Sequence, residues 1–106
     1  MMPLQSQEQF EGLLGKVPTD EQIPPFFIVY FTARWCGACK RLDLSKIVES
    51  LPVTWYKCDI DENDYTPGYC GVKSIPAFLV VKNKKVFGPF GDSRTEKVIE
   101  WLKAFA

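Results

Sequence analysis

The segment FFIVYFTARWCGACKRLDLSKIVESL, residues 26–51, places a β-type run, two cysteines and a helical pattern in immediate succession. Residues 26–31 are aromatic and β-branched, which is typical of a short strand buried on both faces. After the cysteines, apolar side chains recur with the spacing of one helix face, at Leu44, Ile47, Val48 and Leu51. The segment therefore predicts a buried strand that leads directly into an amphipathic helix.

Two cysteines, Cys36 and Cys39, lie at the start of this helical pattern. A pair at this spacing serves as half of a zinc site, as a structural staple or as a redox dithiol. The helix N-terminus favours the redox use, because its unpaired N–H groups and its dipole stabilise a thiolate, and Arg34 and Lys40 add positive charge. We expect an exposed Cys36 to attack a disulfide and a more buried Cys39 to resolve the product.

The composition excludes several other classes of function. Thirteen basic and thirteen acidic side chains balance, so no charge excess indicates a nucleic-acid surface. The sequence has no histidine, which excludes histidine-based catalysis and histidine metal ligands. Zinc would need two ligands besides Cys36 and Cys39, and the remaining cysteines, Cys58 and Cys70, do not form a second pair of this spacing. We expect no metal and no bound cofactor.

The length of 106 residues predicts a single domain over residues 1–106. The N-terminal residues do not resemble a secretory signal, and no apolar segment approaches the length of a membrane span. A cytoplasmic protein is the expectation, in which cysteines are thiols or catalytic groups rather than a disulfide framework. Cys58 and Cys70 are expected to be unpaired structural thiols, with a second disulfide or a regulatory thiol as the alternatives.

Capping signals predict two further helices. Ser6 and Gln9 form a capping box before a helix of about ten residues. Ser93 and Glu96 form a second box before an amphipathic C-terminal helix. The helix that follows Cys36 is expected to end at Leu51-Pro52, because proline disfavours the helical conformation of the preceding residue.

Strand signals surround these helices. Residues 53–58 and 77–82 are predicted strands, Asn83-Lys84 is a predicted tight turn, and residues 85–87 are a predicted edge strand. Any strand before the first helix is expected to be very short or absent. Residues 65–72 contain a proline and two glycines, so at most a short helical turn is expected there.

Three stretches together resemble the thioredoxin family, whose usual motif is Trp-Cys-Gly-Pro-Cys-Lys. They are the run from Phe31 to Lys40, Lys57-Cys58-Asp59-Ile60-Asp61 and Ser74-Ile75-Pro76-Ala77. The resemblance, which covers the chain from Phe26 onward, implies an α/β thioredoxin fold, with a central mixed sheet of four to five strands and helices on both faces. It implies a thiol–disulfide oxidoreductase that reduces disulfides in protein substrates and works as a monomer. A thioredoxin-reductase-type electron donor would be its partner.

The same resemblance assigns a substrate surface around Cys36. It implies a cis peptide bond before Pro76 and a backbone at Ile75 that pairs with the substrate chain. An apolar rim would bind extended peptide with little side-chain selection, and it would comprise Trp35, Gly37, Ala38, Ile75, Phe90 and Gly91. For Phe90 and Ile75 the alternative is a place in the core.

The sequence departs from the family beneath the cysteines. Lys57 matches a family lysine, but Tyr30 stands where the family has a buried aspartate that exchanges a proton with the second thiol. A polar pair of Tyr30 and Lys57 under Cys39 is the resulting hypothesis. Three further replacements are Thr32 for a tryptophan, Leu44 for a helix-kinking proline and Ala38 for the motif proline. These departures leave open a non-catalytic binding or regulatory subunit that uses the apolar surface.

Overall fold

In a computed structural model that describes all 106 residues, five strands form one mixed sheet in the order β1-β3-β2-β4-β5. The strands are β1 (Met2–Pro3), β2 (Phe26–Thr32), β3 (Thr54–Asp59), β4 (Ala77–Lys82) and β5 (Lys85–Gly91). β1, β3 and β2 run parallel, whereas β4 is antiparallel to both β2 and β5. The predicted mixed α/β sheet is confirmed, with the first strand as short as expected.

Five helices cover the two faces of this sheet. They are α1 (Gln7–Leu13), α2 (Gly37–Lys40), α3 (Leu44–Ser50), α4 (Tyr65–Tyr69) and α5 (Thr95–Lys103). α1 packs with α4 on one face, and α3 packs with α5 on the other. The sheet is therefore buried on both sides, which explains why β2 and β4 read as continuous apolar runs.

The central strand β2 divides its side chains between two hydrophobic clusters. Phe27, Val29 and Phe31 pack towards α1, while Ile28 and Tyr30 pack towards α3 and α5. Successive side chains of a strand point to opposite faces, so this alternation follows directly from the extended backbone. The end of β2 is consequently fixed from both sides, and the cysteine segment begins there.

The first helix is shorter than predicted. α1 contains seven residues instead of about ten, because Gly15 follows it with a φ of +76° and ends the helical conformation. The capping box is present: Ser6 Oγ accepts from the N–H of Gln9 at 3.0 Å. Gln9 Oε1 in turn accepts from the N–H of Gln5 at 2.7 Å, so the return bond reaches one residue further back than expected.

The edge strand is longer than predicted. β5 continues through Gly88 and Pro89 to Gly91, and these two residues lie opposite Leu79 alone in a β-bulge. Proline is tolerated here because an edge strand does not need its N–H for the ladder. The tight turn before β5 is confirmed, with positive φ angles at Asn83 and Lys84.

The predicted capping box of the C-terminal helix is wrong. α5 begins at Thr95, and its N-cap residue Arg94 makes no side-chain capping bond. The side chains of Thr95 and Glu96 instead contact the segment before and within α3. The side chains in the first turn of α5 therefore bind the α3 region and do not cap α5 itself.

Candidate active site

The two cysteines lie directly beyond the end of β2. Cys36 is the N-cap residue of α2, and its sulfur is joined to that of Cys39 by a disulfide bond, with the Cα atoms 5.3 Å apart. Cys36 Sγ also accepts a hydrogen bond from the backbone N–H of Cys39 at 3.1 Å. An N–H donor aimed at sulfur stabilises a thiolate, so this contact favours Cys36 as the nucleophile.

The predicted difference in exposure between the two cysteines is wrong for this disulfide form. Cys36 is 4% exposed and Cys39 is 7% exposed. The pair packs with Ala33 in a small apolar cluster. Ala38, Ile60 and Ile75 complete its surroundings.

The helix that carries the cysteines is not continuous, contrary to the prediction from residues 36–51. α2 is a single turn, and α3 begins afresh at Leu44. Asp43 caps α3, because its Oδ1 accepts from the N–H of Lys46 at 3.2 Å. The N–H of Asp43 itself donates to Thr95 Oγ1 at 2.9 Å. One turn has little dipole, so the local N–H of Cys39 is the main stabilising group at Cys36.

The loop before β4 forms a wall beside the disulfide. The Ile75–Pro76 peptide bond is cis, as the resemblance implies, and Ile75 packs against the cysteine cluster. Gly91 at the end of β5 lies against this loop: a Cβ atom there would lie 3.4 Å from the carbonyl oxygen of Pro76 and 3.7 Å from Ser74 Oγ. Gly91 therefore lets β5 approach the proline loop closely.

An apolar groove of about 480 Å³ runs between Trp35 and Ile75. Trp35 is 65% exposed, and its indole N–H donates to Asp61 Oδ2 at 2.9 Å. Gly37 lies in open space next to the cysteines. Sequence reasoning missed Asp61 as the residue that holds Trp35, although its position in the quoted 57–61 motif could have indicated it.

Phe90 lies away from this groove. Its ring stacks on that of Trp101 at a centroid distance of 5.0 Å and an interplanar angle of 8°. It packs with the cluster formed by α3 and α5. This contact supports the core alternative for the Phe90 side chain.

Tyr30 and Lys57 lie opposite each other on β2 and β3, but no hydrogen bond joins them. Tyr30 is buried, and its ring stacks on Phe78 at 5.0 Å. Burial raises the pKa of Tyr30, and a hydrogen bond with Thr32 offsets part of that rise. Lys57 is exposed and lines a polar cavity of about 450 Å³ together with Thr32 and Asp59. The hypothesised polar pair is not formed.

The remaining cysteines lie on the α1 side of the sheet. Both are free thiols, with Cys58 fully buried and Cys70 half-buried, as expected for structural thiols. Burial raises the pKa of each thiol to about 12. They are therefore poor nucleophiles, in contrast to the pair at the end of β2. No group of three or more Cys, Asp or Glu side chains is arranged to hold a metal ion.

A disulfide at a strand-to-helix junction, beside a cis-proline loop and an open apolar groove, defines a thiol–disulfide oxidoreductase. The chain belongs to the thioredoxin family, whose model (Thioredoxin) matches residues 5–104. None of its helices combines the length and apolar character needed to cross a membrane.

Curated relatives agree with this assignment. The thioredoxin of Rickettsia typhi is 36% identical over 81 residues, covering 71% of this chain and 76% of its own length. The thioredoxin of Rhodospirillum rubrum is also 36% identical over 81 residues, with 72% and 78% covered. Mitochondrial thioredoxin-3 of Saccharomyces cerevisiae is 34% identical over 64 residues, 58% of this chain, and this chain spans half of that protein's length.

Solved structures share the fold. The thioredoxin of Fasciola hepatica superimposes with a TM-score of 0.80 over all of both chains at 23% identity. The thioredoxin of Trypanosoma brucei brucei also reaches 0.80, at 26% identity, over 99% of this chain and 89% of that one. The predicted thioredoxin fold is thus confirmed.

Proposed function

We propose that this protein reduces disulfide bonds in protein substrates by cycling Cys36 and Cys39 between a dithiol and a disulfide. The observation that carries the proposal is the contact at the start of α2, where the N–H of Cys39 donates to Cys36 Sγ at 3.1 Å. We expect a thiolate at Cys36 to keep this donor after the disulfide opens. Cys36 is accordingly the attacking sulfur and Cys39 the resolving one.

The cycle consists of two thiol–disulfide exchanges. The Cys36 thiolate attacks one substrate sulfur, the substrate S–S bond breaks, and one substrate thiolate leaves. Cys39 then loses its proton and attacks the Cys36 sulfur of the mixed disulfide, which releases the second substrate thiolate. The substrate gains two electrons and the protein loses two, so the product is the Cys36–Cys39 disulfide.

Lys57 has a proposed electrostatic role in the second exchange, whereas Tyr30 is not proposed as its base. Because burial raises the pKa of Tyr30, its hydroxyl stays protonated at neutral pH and does not act as a carboxylate-like base. Tyr30 therefore does not replace a carboxylate as a base for Cys39. Lys57 lies on the same face of the sheet as Tyr30 and contributes a positive charge to the polar cavity.

The substrate chain would lie in extended form across the groove beside Cys36. The backbone of Ile75 offers pairing groups, and Pro76 forms the wall next to the disulfide. Gly37 lies in open space and leaves room for the chain to approach, and Gly91 lets β5 lie close to the proline loop. Trp35 and half-buried Ala38 complete the proposed surface, whereas Phe90 stacks on Trp101 and is left out of it.

A complete cycle needs an electron donor, which we propose to be a reductase of the thioredoxin-reductase type. The protein would act as a monomer on disulfide-containing protein substrates. A reducing compartment, the cytoplasm, fits the two free thiols Cys58 and Cys70.

Insulin reduction driven by dithiothreitol tests this function. The wild-type protein is expected to accelerate precipitation of the insulin B chain, whereas Cys36→Ser is expected to give the uncatalysed rate. Cys58→Ser is the matched control, since it removes a buried thiol outside the proposed cycle. A folded wild-type protein without any acceleration would overturn the proposal in favour of a binding subunit.

A further inference from the structure

We propose that Thr95, from the distant helix α5, is a positioning residue for the cysteine pair. Its hydroxyl holds open the break between α2 and α3 and thereby fixes the single turn that carries both sulfurs. The inference rests on the proposed function, in which the geometry of that turn governs the reactivity of Cys36.

The hydrogen bonds at the break show why a side chain is needed there. In a continuous α-helix the N–H of Asp43 would donate to the carbonyl of Cys39, four residues earlier. Here that N–H donates to Thr95 Oγ1 at 2.9 Å. The Cys39 carbonyl accepts from the N–H of Leu42 instead, at 3.2 Å, and this bond ends α2 after a single turn. The Thr95 hydroxyl thus takes the donor that would otherwise extend the helix.

A second diverted donor completes the break. The N–H of Lys46 would donate to the carbonyl of Leu42 in a continuous helix, and it donates to Asp43 Oδ1 at 3.2 Å instead. No proline lies between Cys39 and Ser50, so the usual cause of such an interruption is missing. The break therefore depends on two side chains, Thr95 and Asp43.

The first turn of α5 is arranged for this contact rather than for its own stability. Arg94 at its N-cap makes no side-chain capping bond. The Glu96 carboxylate binds Lys46 Nζ at 2.6 Å, which holds α5 against α3. That ion pair is exposed on both sides and contributes little by itself, so the directional bond from Asp43 to Thr95 sets the geometry.

The effect on chemistry passes through Cys39. Its N–H donates to Cys36 Sγ at 3.1 Å, and its carbonyl lies at the end of the closed turn. Without the Thr95 hydroxyl, the N–H of Asp43 would take the Cys39 carbonyl and the helix would extend through the break. The turn formed by α2 would then rotate, and the N–H of Cys39 would no longer point at Cys36 Sγ.

The test compares Thr95→Val, which keeps the shape and loses the hydroxyl, with Thr95→Ser, which keeps the acceptor. In the reduced proteins, Thr95→Val is expected to slow alkylation of Cys36 by iodoacetamide at pH 7 about fivefold. The midpoint of the pH profile of alkylation is expected to shift to higher pH. Thr95→Ser is expected to react like the wild type. Glu96→Gln, which removes the neighbouring ion pair, should also leave the rate unchanged.

A rescue variant separates positioning from a general loss of stability. Leu44 is the first residue of α3, where proline is tolerated and where it keeps the preceding residue out of the helical conformation. Leu44→Pro in the Thr95→Val background is expected to restore the alkylation rate. Wild-type reactivity of Thr95→Val with only a lower melting temperature would overturn the proposal, and so would a failure of the rescue in a folded protein. If the wild-type protein does not reduce insulin, the proposed function is overturned, whereas the alkylation rates still test the positioning role of Thr95.

Discussion

The four cysteines of this chain differ in their immediate surroundings. Cys36 receives an N–H bond from Cys39, whereas Cys58 and Cys70 lie in an apolar environment that raises the pKa of each to about 12. Thiolates, not thiols, are the reacting species, so the surroundings of each cysteine decide whether it reacts. The contact of Cys58 with the carbonyl of Asn63, at 3.7 Å, is a weak hydrogen bond donated by the thiol form.

Selective labelling follows from these pKa values. At pH 8 only about one part in ten thousand of a thiol with a pKa near 12 is ionised. Iodoacetamide is therefore expected to label Cys36 in the reduced protein within minutes and to leave Cys58 and Cys70 unmodified, as read by peptide mass spectrometry. Labelling in urea, where all four cysteines should react, is the control. Rapid native labelling of Cys58 would contradict the assignment.

Asp92 makes a pH-dependent contribution next to the proline loop. Hydrogen bonds from Arg94 lower the pKa of this carboxyl from 3.8 to about 2. Because the folded value lies below the unfolded one, the stabilisation is complete above about pH 4 and is lost as the pH falls towards 2. Asp92→Asn is expected to lower the urea midpoint at pH 7 and to lower it much less at pH 2, where most of the stabilisation is already lost. An equal effect at both pH values would contradict a role for the ionised pair.

The helix interruption marks the limit of sequence reasoning at the level of elements. Leu44, Ile47 and Leu51 have a helical period, and they do lie on one helix, α3, or directly after it. The same period cannot reveal that α2 and α3 are separate, because the break keeps Leu42 buried in the same cluster. Asp43 before an apolar run is an N-cap signal that could have indicated the boundary. Thr95, 52 residues away from Asp43, could not have been found from local sequence.

The cap at Asp43 can be tested by itself. Asp43→Ala removes the acceptor for the N–H of Lys46 and is expected to lower the free energy of unfolding by about 1 kcal/mol. Asp43→Asn retains an acceptor oxygen and should lose much less. Urea denaturation followed by tryptophan fluorescence measures both. Equal stability of the alanine and asparagine variants would show that the side chain does not cap α3.

At the level of the molecule, the sheet and its helices hold the buried strand β2 in place, and this strand supports the cysteine pair. β2 lies between β3 and β4, with helices on both faces, so the cysteines follow the end of the central strand of the sheet. The apolar run of residues 26–31 was sufficient to predict that β2 is buried on both faces, since such burial leaves a direct imprint on composition, whereas the mixed sheet followed from the family resemblance. The cis peptide at Pro76 followed only from family resemblance. The longer β5 was missed because Gly88-Pro89 reads as a strand end, and only the pairing with β4 shows otherwise.

The mixed-disulfide trap tests the assigned roles of the two sulfurs most directly. Cys39→Ser, reduced and then mixed with insulin, is expected to accumulate a covalent adduct through Cys36, visible by mass spectrometry and released by dithiothreitol. Cys36→Ser is expected to form no adduct under the same conditions, because the N–H donor at the start of α2 is directed at Cys36 and not at Cys39. Adducts of similar yield through either cysteine, or none from a folded Cys39→Ser protein, would contradict the attack by Cys36 and the resolution by Cys39.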